Sequence, residues 1–113
     1  MASQHDITLV NAAAKTLNFQ NSYPNALKGG KIPKDEIIEI LLQSGCVGLR
    51  YYFALDNTAN PNAIHVVLVG VDQNGNDIVP SAPGQPANPA AKLKDGAWGC
   101  PPNCSTANDL NHL

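Results

Sequence analysis

The sequence has little charge and few aromatic residues. Asp, Glu, Lys and Arg make up 14% of the 113 residues, whereas about 25% is usual for a soluble domain. The net charge is −2, and the Lys and Arg residues are scattered along the chain and form no cluster. Nucleic-acid binding depends on a concentrated positive surface that neutralises phosphates. We therefore expect no nucleic-acid partner.

The sequence also lacks a long apolar run. No stretch approaches the roughly 20 apolar residues that a helix needs to cross a bilayer, so no membrane span is expected. The first residues, Met1 to Asp6, show neither the basic region nor the apolar region of a secretory signal. The expected location is therefore the cytoplasm, and an extracellular location would require release without a standard secretion signal.

Cysteine is scarce, and its number is odd. Cys100 and Cys104 flank a Pro-Pro-Asn segment, and Cys46 lies where a helix is expected to give way to a strand. In a reducing compartment all three are expected to be thiols, although a short Cys100–Cys104 disulfide is the alternative. Such a disulfide closes few residues and so would stabilise little. The three cysteines are the candidates for disulfide or redox chemistry.

Two helices are predicted in the N-terminal half. Apolar residues at helical spacing predict a first helix from about Leu9 to Asn18. The second, from Pro33 to Ser44, begins with a proline and has two acidic residues in its first turn, where the positive end of the helix dipole favours them. Gly45 then suits the position just after a helix. The residues between the two helices are rich in Asn, Pro and Gly and predict a loop.

Three strands are expected after the helices. The first runs from Val47 to Leu55 and the second from about Ala63 to Val71. Asn74-Gly75 is typical of a type I′ turn, and Ile78-Val79 can begin a short third strand. The prediction is an α+β fold, in which two N-terminal helices pack on a small antiparallel β-meander.

The composition changes at Pro80. Prolines recur at every third position as far as Pro89, among Ser, Ala, Gly and Asn, which favours an extended chain. The sequence therefore predicts a small α+β domain over residues 1–79 and a Pro-rich extended arm over residues 80–113. Trp98 is the large amphipathic side chain of this arm, and we expect it to anchor the arm on a surface.

Metal sites have weak support in the sequence. Cys100, Cys104 and His112 are candidate zinc ligands, with Cys46 as a fourth, but the spacing of the cysteines departs from the usual knuckle and no second pair follows. The segment from Asp72 to Asp77 has oxygen-bearing side chains at alternate positions, as calcium loops have. Its glycine stands at the fourth position, however, and tight turns use the same residues. No metal and no cofactor is expected.

An enzymatic centre is not expected either. Cys46 follows a helix C-terminus, whose negative dipole end does not activate a thiol. His65 could serve as a base, but its place within an apolar strand favours a packed or interfacial histidine. A thiol enzyme based on these two residues is the least favoured reading of the sequence.

Self-association has the strongest support. A strand with one wet face alternates apolar and polar residues, whereas the second strand is apolar on both faces. The remainder of the chain can cover about one face, so a second copy is expected to cover the other. The alternative is a compact monomer whose C-terminal tail folds back over that face. The expected interface residues are Tyr52, Phe53, Val66, Leu68 and Trp98.

The function predicted from these patterns is structural. The chain would be a non-enzymatic subunit of a homo-oligomer or filament, built through its apolar strand faces and its C-terminal arm. A small binding module with a redox- or zinc-responsive cysteine site is the first alternative.

Three motifs together resemble a family of short uncharacterised bacterial proteins, of Bacteroidota-like origin. They are Gly45 to Leu55, which contains GCVGLR, Leu68 to Asp77, which reads LVGVDQNGND, and Cys100 to Cys104, which reads CPPNC. The resemblance covers the chain from about Gly45 to Cys104. It brings no activity, cofactor or catalytic residue with it. It implies that six residues of the motifs belong to one structural design: Cys46, Arg50, Asp72, Gly75, Cys100 and Cys104.

Overall fold

The computed structural model describes residues 4–59, 63–96 and 98–113, with Trp98 described through its backbone alone. These residues form two helices and six strands, in agreement with the predicted α+β class. In chain order they are α1 (Leu9–Ser22), β1 (Gly29–Lys31), α2 (Lys34–Leu41), β2 (Cys46–Ala54), β3 (His65–Asp72), β4 (Asp77–Ile78), β5 (Leu93–Asp95) and β6 (Trp98–Cys100). No helix in the described ranges is long and apolar enough to cross a bilayer.

The central strand of the main sheet is β3. It pairs antiparallel with β2 from Ala54 opposite His65 to Cys46 opposite Asp72, with a bulge between Cys46 and Gly48. On its other side β3 pairs with β4 near its C-terminal end and with β5 further back. The predicted meander of three strands is therefore present. The middle residues of β3, Leu68 to Gly70, are buried, in keeping with the apolar sequence of this strand.

The hairpin between β3 and β4 has a different turn from the one predicted. Gly75 donates its N–H to the carbonyl of Asp72 at 2.9 Å, and Asp72 donates to the carbonyl of Asn76 at 2.9 Å. Gly75 has a φ of +83°, as the residue that closes a three-residue hairpin loop requires. The Asp72 carboxylate also accepts from the backbone N–H groups of Asn74 and Asn76. These contacts satisfy the loop internally, so the segment serves as a turn.

The two helices differ from the predicted ones at their C-termini. Thr8 caps α1 by accepting the N–H of Asn11, and the helix continues to Ser22. Beyond the predicted end at Asn18, the rings of Phe19 and Tyr23 contact each other with centroids 5.1 Å apart. The second helix, α2, is shorter than predicted and ends at Leu41.

The buried core includes residues on both faces of the main sheet, because the adjacent residues Leu68 and Val69 of β3 point to opposite faces. Ile40, Leu68 and Val69 are the fully buried large side chains among the described residues. Gly70 lies against the segment that follows α2, because a Cβ at position 70 would stand 2.9 Å from Gln43 Nε2 and 3.0 Å from Cys46 Sγ. The same Cβ would stand 3.4 Å from Ile40. The absence of a side chain at Gly70 therefore leaves room for Gln43 and Cys46, which follow α2 in the chain.

The C-terminal segment returns to the body of the chain. Besides β5, it contributes β6, which pairs antiparallel with β1 from Gly29 opposite Cys100 to Lys31 opposite Trp98. Near the end of the chain, the ring of His112 lies 3.0 Å from Thr16 Oγ1 of α1. The sequence predicts an extended arm over residues 80–113, and in the structure the described residues of this segment form hydrogen bonds to the N-terminal half. The backbone N–H and C=O groups of Gly29–Lys31 form the hydrogen bonds that pair β1 with β6.

The proline-rich stretch between β4 and β5 forms a closed loop. Asn88 donates its N–H to the carbonyl of Pro80 at 2.8 Å, which brings the two sides of the loop together. At the end of the stretch, Lys92 donates its N–H to the side chain of Gln43 at 2.7 Å. Gly84 lies at the exposed tip, with a φ of +75°.

The molecule is a thin slab with a large surface. Its principal extents are 46 × 45 × 23 Å, and its radius of gyration is 16.5 Å, whereas a compact chain of this length has a radius of about 13 Å. The accessible surface is 8235 Å². A compact monomer of this mass exposes about 6,000 Å², so the excess is roughly 2,000 Å².

Candidate functional site

An apolar surface covers one side of the β2–β3 pair. Residues directly opposite each other in an antiparallel pair share a face, and Tyr51 stands opposite Leu68 and Phe53 opposite Val66. We call this surface the apolar face and define it by Leu49, Tyr51, Phe53, Val66 and Leu68. The Tyr51 and Phe53 rings meet edge to face with centroids 5.8 Å apart. Phe53 is 77% exposed and Tyr51 is 61% exposed.

A groove of about 590 Å³ runs along the apolar face. Its opposite wall consists of Phe19 of α1 together with the segment from Ala26 to Gly30 and Ile32, and Gly99 also lines it. Most of these lining residues are apolar. The N-terminal half is therefore separated from this face of the sheet by the groove, and the aromatic side chains of β2 remain accessible to solvent.

The free edge of the main sheet lies next to this groove. β2 pairs with β3 on one side, and no strand within the described residues pairs with its other side. It is a nine-residue strand, the longest of the described strands. Long apolar edge strands pair readily with other chains unless charge or proline protects them. Arg50 is the charged residue of β2, and its guanidinium is engaged elsewhere.

On the opposite face, Arg50 takes part in a cluster with Tyr52 and Asp77. The Asp77 carboxylate accepts from the Arg50 guanidinium through one oxygen and from the Tyr52 hydroxyl through the other. Arg50 also donates to the carbonyl of Gly75 at 3.1 Å. Arg50 lies opposite Val69 in the register, so the cluster joins β2 to β4 across the buried Val69 of the central strand.

The hydrogen bond to Asp77 raises the pKa of Tyr52 above its usual value of about 10. The neutral phenol is the form that donates, so this contact stabilises the fold below about pH 10 and is lost as the pH rises through the raised pKa.

In a titration that follows phenolate absorbance, we expect one of the three tyrosines to ionise late, at higher pH than the usual value. Tyr52→Phe should remove that late fraction, and Asp77→Asn should shift it towards the usual range. A late fraction that persists in Tyr52→Phe would contradict this assignment.

A second polar cluster joins β5 to α2. The ammonium group of Lys94 pairs with Glu39 and lies 3.1 Å from Glu36. The hydrogen bonds that the Lys94 ammonium group donates to these carboxylates raise the pKa of Lys94, and the one accepted by Glu39 lowers the pKa of Glu39. This cluster holds the short strand β5 against the helix that covers the sheet.

A third cluster brings together Asp56, His65 and Asp95. His65 Nδ1 lies 2.6 Å from an oxygen of Asp95, and Nε2 lies 3.1 Å from an oxygen of Asp56. The three residues come from the loop after β2, the first position of β3 and the last position of β5. Pairing of Asp95 with Val67 brings β5 to His65. Among the described residues, this is the group of His, Cys, Asp and Glu side chains close enough to share one metal ion.

The predicted interface residues lie in different environments. Phe53 belongs to the exposed part of the apolar face, and Tyr52 lies on the opposite face with Asp77. Val66 is half-buried, and Leu68 is buried against its own chain. Trp98 takes part in β6 through its backbone, and its side chain lies outside the described part of the structure.

The predicted cysteine and metal residues are not assembled into one site. Cys100 and Cys104 stand at disulfide distance, and paired sulfurs are not available as thiolate ligands. Cys46 is a free thiol that contacts the carbonyl of Gly48 at 3.2 Å. The His112 ring contacts Thr16 and the carbonyl of Ala13.

Comparison with known proteins brought no match to this chain, whether to a family model, to a curated sequence or to a solved structure.

Proposed function

We propose that the protein is a non-enzymatic structural subunit that associates with a second copy of itself through the apolar face and the free edge of β2. The observation that carries the proposal is the accessible surface of 8235 Å². It exceeds that of a compact monomer by roughly 2,000 Å². An obligate homodimer buries about 2,000–5,000 Å² in total, which is about 1,000–2,500 Å² on each subunit. The excess surface is therefore of the size that one such interface removes.

The side chains at the apolar face supply a favourable free energy for association. Transfer of a large apolar side chain from water to a protein interior contributes about 1.5–3 kcal/mol. Phe53 and Tyr51 have most of their surface still exposed. Aromatic side chains near the centre of an interface commonly provide much of its affinity.

The free edge of β2 determines how the two copies are oriented in this contact. When the same edge of a second copy pairs with it, the contact is isologous and closes as a two-fold dimer. Arg50 does not protect the edge by charge, because its guanidinium is held by Asp77 and Gly75. Backbone hydrogen bonds between the two edges and burial of the aromatic side chains then act together.

The described part of the C-terminal segment pairs with other strands of the same subunit. Its β5 and β6 strands pair with strands of the same chain. We therefore assign the self-association to β2 and its apolar face, and we assign β5 and β6 to the stability of the subunit.

The experiment is the mass in solution, measured by light scattering after gel filtration over a range of concentrations. We expect a mass of twice 11.9 kDa that decreases only at high dilution. Larger or filamentous particles would indicate head-to-tail contacts in place of a closed dimer. A monomer at every concentration would contradict self-association and would favour a small binding module that uses the groove for an apolar ligand.

A further inference from the structure

We propose that Asp56, His65 and Asp95 form a binding site for a divalent transition-metal ion, with Zn²⁺ as the best-fitting ion. His65 Nε2 and a carboxylate oxygen of Asp56 would be the ligands, and Asp95 would orient the imidazole ring. We call these three residues the Asp-His-Asp cluster. None of them belongs to the apolar face, although His65 also lines the groove beside it, and zinc binding is tested separately from self-association.

The hydrogen bond between His65 and Asp95 prepares one ring nitrogen for a metal. A carboxylate accepts hydrogen bonds, so Asp95 at 2.6 Å from Nδ1 places the proton of the neutral ring on that nitrogen. The lone pair is then on Nε2. Metal-binding histidines commonly have this arrangement, in which a carboxylate behind the ring fixes its tautomer and orientation.

The surroundings of His65 Nε2 favour a bound cation. Nε2 is buried and has no hydrogen-bond partner, although an oxygen of Asp56 lies 3.1 Å away. A ring nitrogen and a carboxylate oxygen that are both acceptors repel each other at this distance. A cation between them would satisfy both atoms, whereas removal of the buried nitrogen from water without a partner costs free energy.

The distance between the two atoms fits ligands of one ion. Zinc binds nitrogen and oxygen at about 2.0–2.2 Å, and neighbouring ligands at angles of about 90–109° are then about 2.8–3.6 Å apart. The observed distance of 3.1 Å lies in this range. Because no hydrogen bond joins the two atoms at this distance, the Asp56 oxygen lies off the axis of the Nε2 lone pair, which leaves that axis open for an ion.

The choice of ligands favours zinc over calcium or magnesium. Imidazole nitrogen suits zinc and related transition metals, whereas calcium and magnesium prefer oxygen throughout. Asp56 is 86% exposed at its side chain, so water can complete the coordination. With two protein ligands, the ion would exchange with the solvent, and chelators would remove it readily.

A bound ion would also hold the sheet together at one end. Asp56 follows β2, His65 begins β3, and Asp95 ends β5. Coordination by Asp56 and His65, with Asp95 hydrogen-bonded behind the ring, would connect three strands. Because such an ion binds the folded state alone, it should raise the melting temperature with its concentration.

The test is a titration of the protein with ZnCl₂ at neutral pH, followed by the ¹⁵N resonances of the histidine rings. We expect saturable movement of the His65 Nε2 resonance and a parallel rise in melting temperature. His65→Gln should abolish both effects. Asp95→Asn, which leaves the ligands in place, should weaken zinc binding by about 10-fold through the loss of ring orientation.

Two variants separate this site from other zinc ligands of the chain. His5→Gln removes a histidine outside the Asp-His-Asp cluster, and Cys46→Ser removes the free thiol. Both should bind zinc as the unaltered protein does. Zinc binding that survives in His65→Gln, or that is lost in Cys46→Ser, would overturn the proposal.

Discussion

Ile40→Ala is expected to lower the free energy of unfolding by about 2–5 kcal/mol, the usual cost of this change in a well-packed core. Ile40 is fully buried and contacts the position of Gly70 on the central strand. Three large side chains are fully buried among the described residues, so the loss of one removes a large part of the core. Since small domains have stabilities of about 5–15 kcal/mol, the variant should lose a substantial fraction of its free energy of unfolding.

Ile38→Ala is the matched control for this change. It makes the same substitution in the same helix, but Ile38 is 37% exposed. Its cost should therefore be smaller by at least about 1 kcal/mol, because less apolar surface is removed and a smaller cavity is left. Urea denaturation followed by circular dichroism, with all three proteins at one concentration, measures the difference. Equal midpoints for the two variants would show that α2 does not pack on the sheet as described.

Phe53→Lys is expected to raise the dissociation constant of the self-association by at least about 30-fold. Loss of a central aromatic residue from an interface commonly costs about 2 kcal/mol or more, and each 1.4 kcal/mol corresponds to about 10-fold. The lysine ammonium group adds to this cost, because burial of an unpaired charge is unfavourable. The light-scattering mass should fall to that of one chain at concentrations where the unaltered protein is dimeric.

Leu42→Lys tests whether the loss is specific to the apolar face. Leu42 is 79% exposed, almost the same as Phe53, but it caps the C-terminus of α2. A lysine at that position also suits the negative end of the helix dipole, so the fold should be retained. We expect this variant to associate like the unaltered protein. If both lysine variants dissociate, or if Phe53→Lys does not, the interface lies elsewhere.

The elements with their own sequence periodicity were predictable. The second helix and the strands β2 and β3 rest on apolar patterns and on Pro, Asp, Glu and Gly at helix ends, which act within one segment. The three-residue strands β1, β5 and β6 have no such pattern. Gly29-Gly30-Lys31 has weak strand propensity, and it is a strand because Cys100 and its neighbours pair with it. Long-range pairing of this kind leaves no local signal.

The Asp-His-Asp cluster was hidden for the same reason. Asp56, His65 and Asp95 belong to no shared motif, and the sequence favours a packed or interfacial role for His65. The pairing of β5 with β3 brings Asp95 to the ring, and β5 itself was not predicted. By contrast, exposure of Phe53 on an apolar strand was predictable, because the number of apolar residues in β2 and β3 exceeds what two short helices can cover.

The loop between β4 and β5 has a consequence for how this chain can vary. Its two sides are joined by the hydrogen bond from Asn88 to Pro80, and its tip around Gly84 is exposed. Extra residues at such a tip add little to the entropy of loop closure, since that cost grows only with the logarithm of loop length. Insertions at Gly84 therefore leave β4 and β5 in register on β3. Changes of loop length should therefore be tolerated at this tip. A peptide grafted there would be displayed to the solvent without disturbing the sheet.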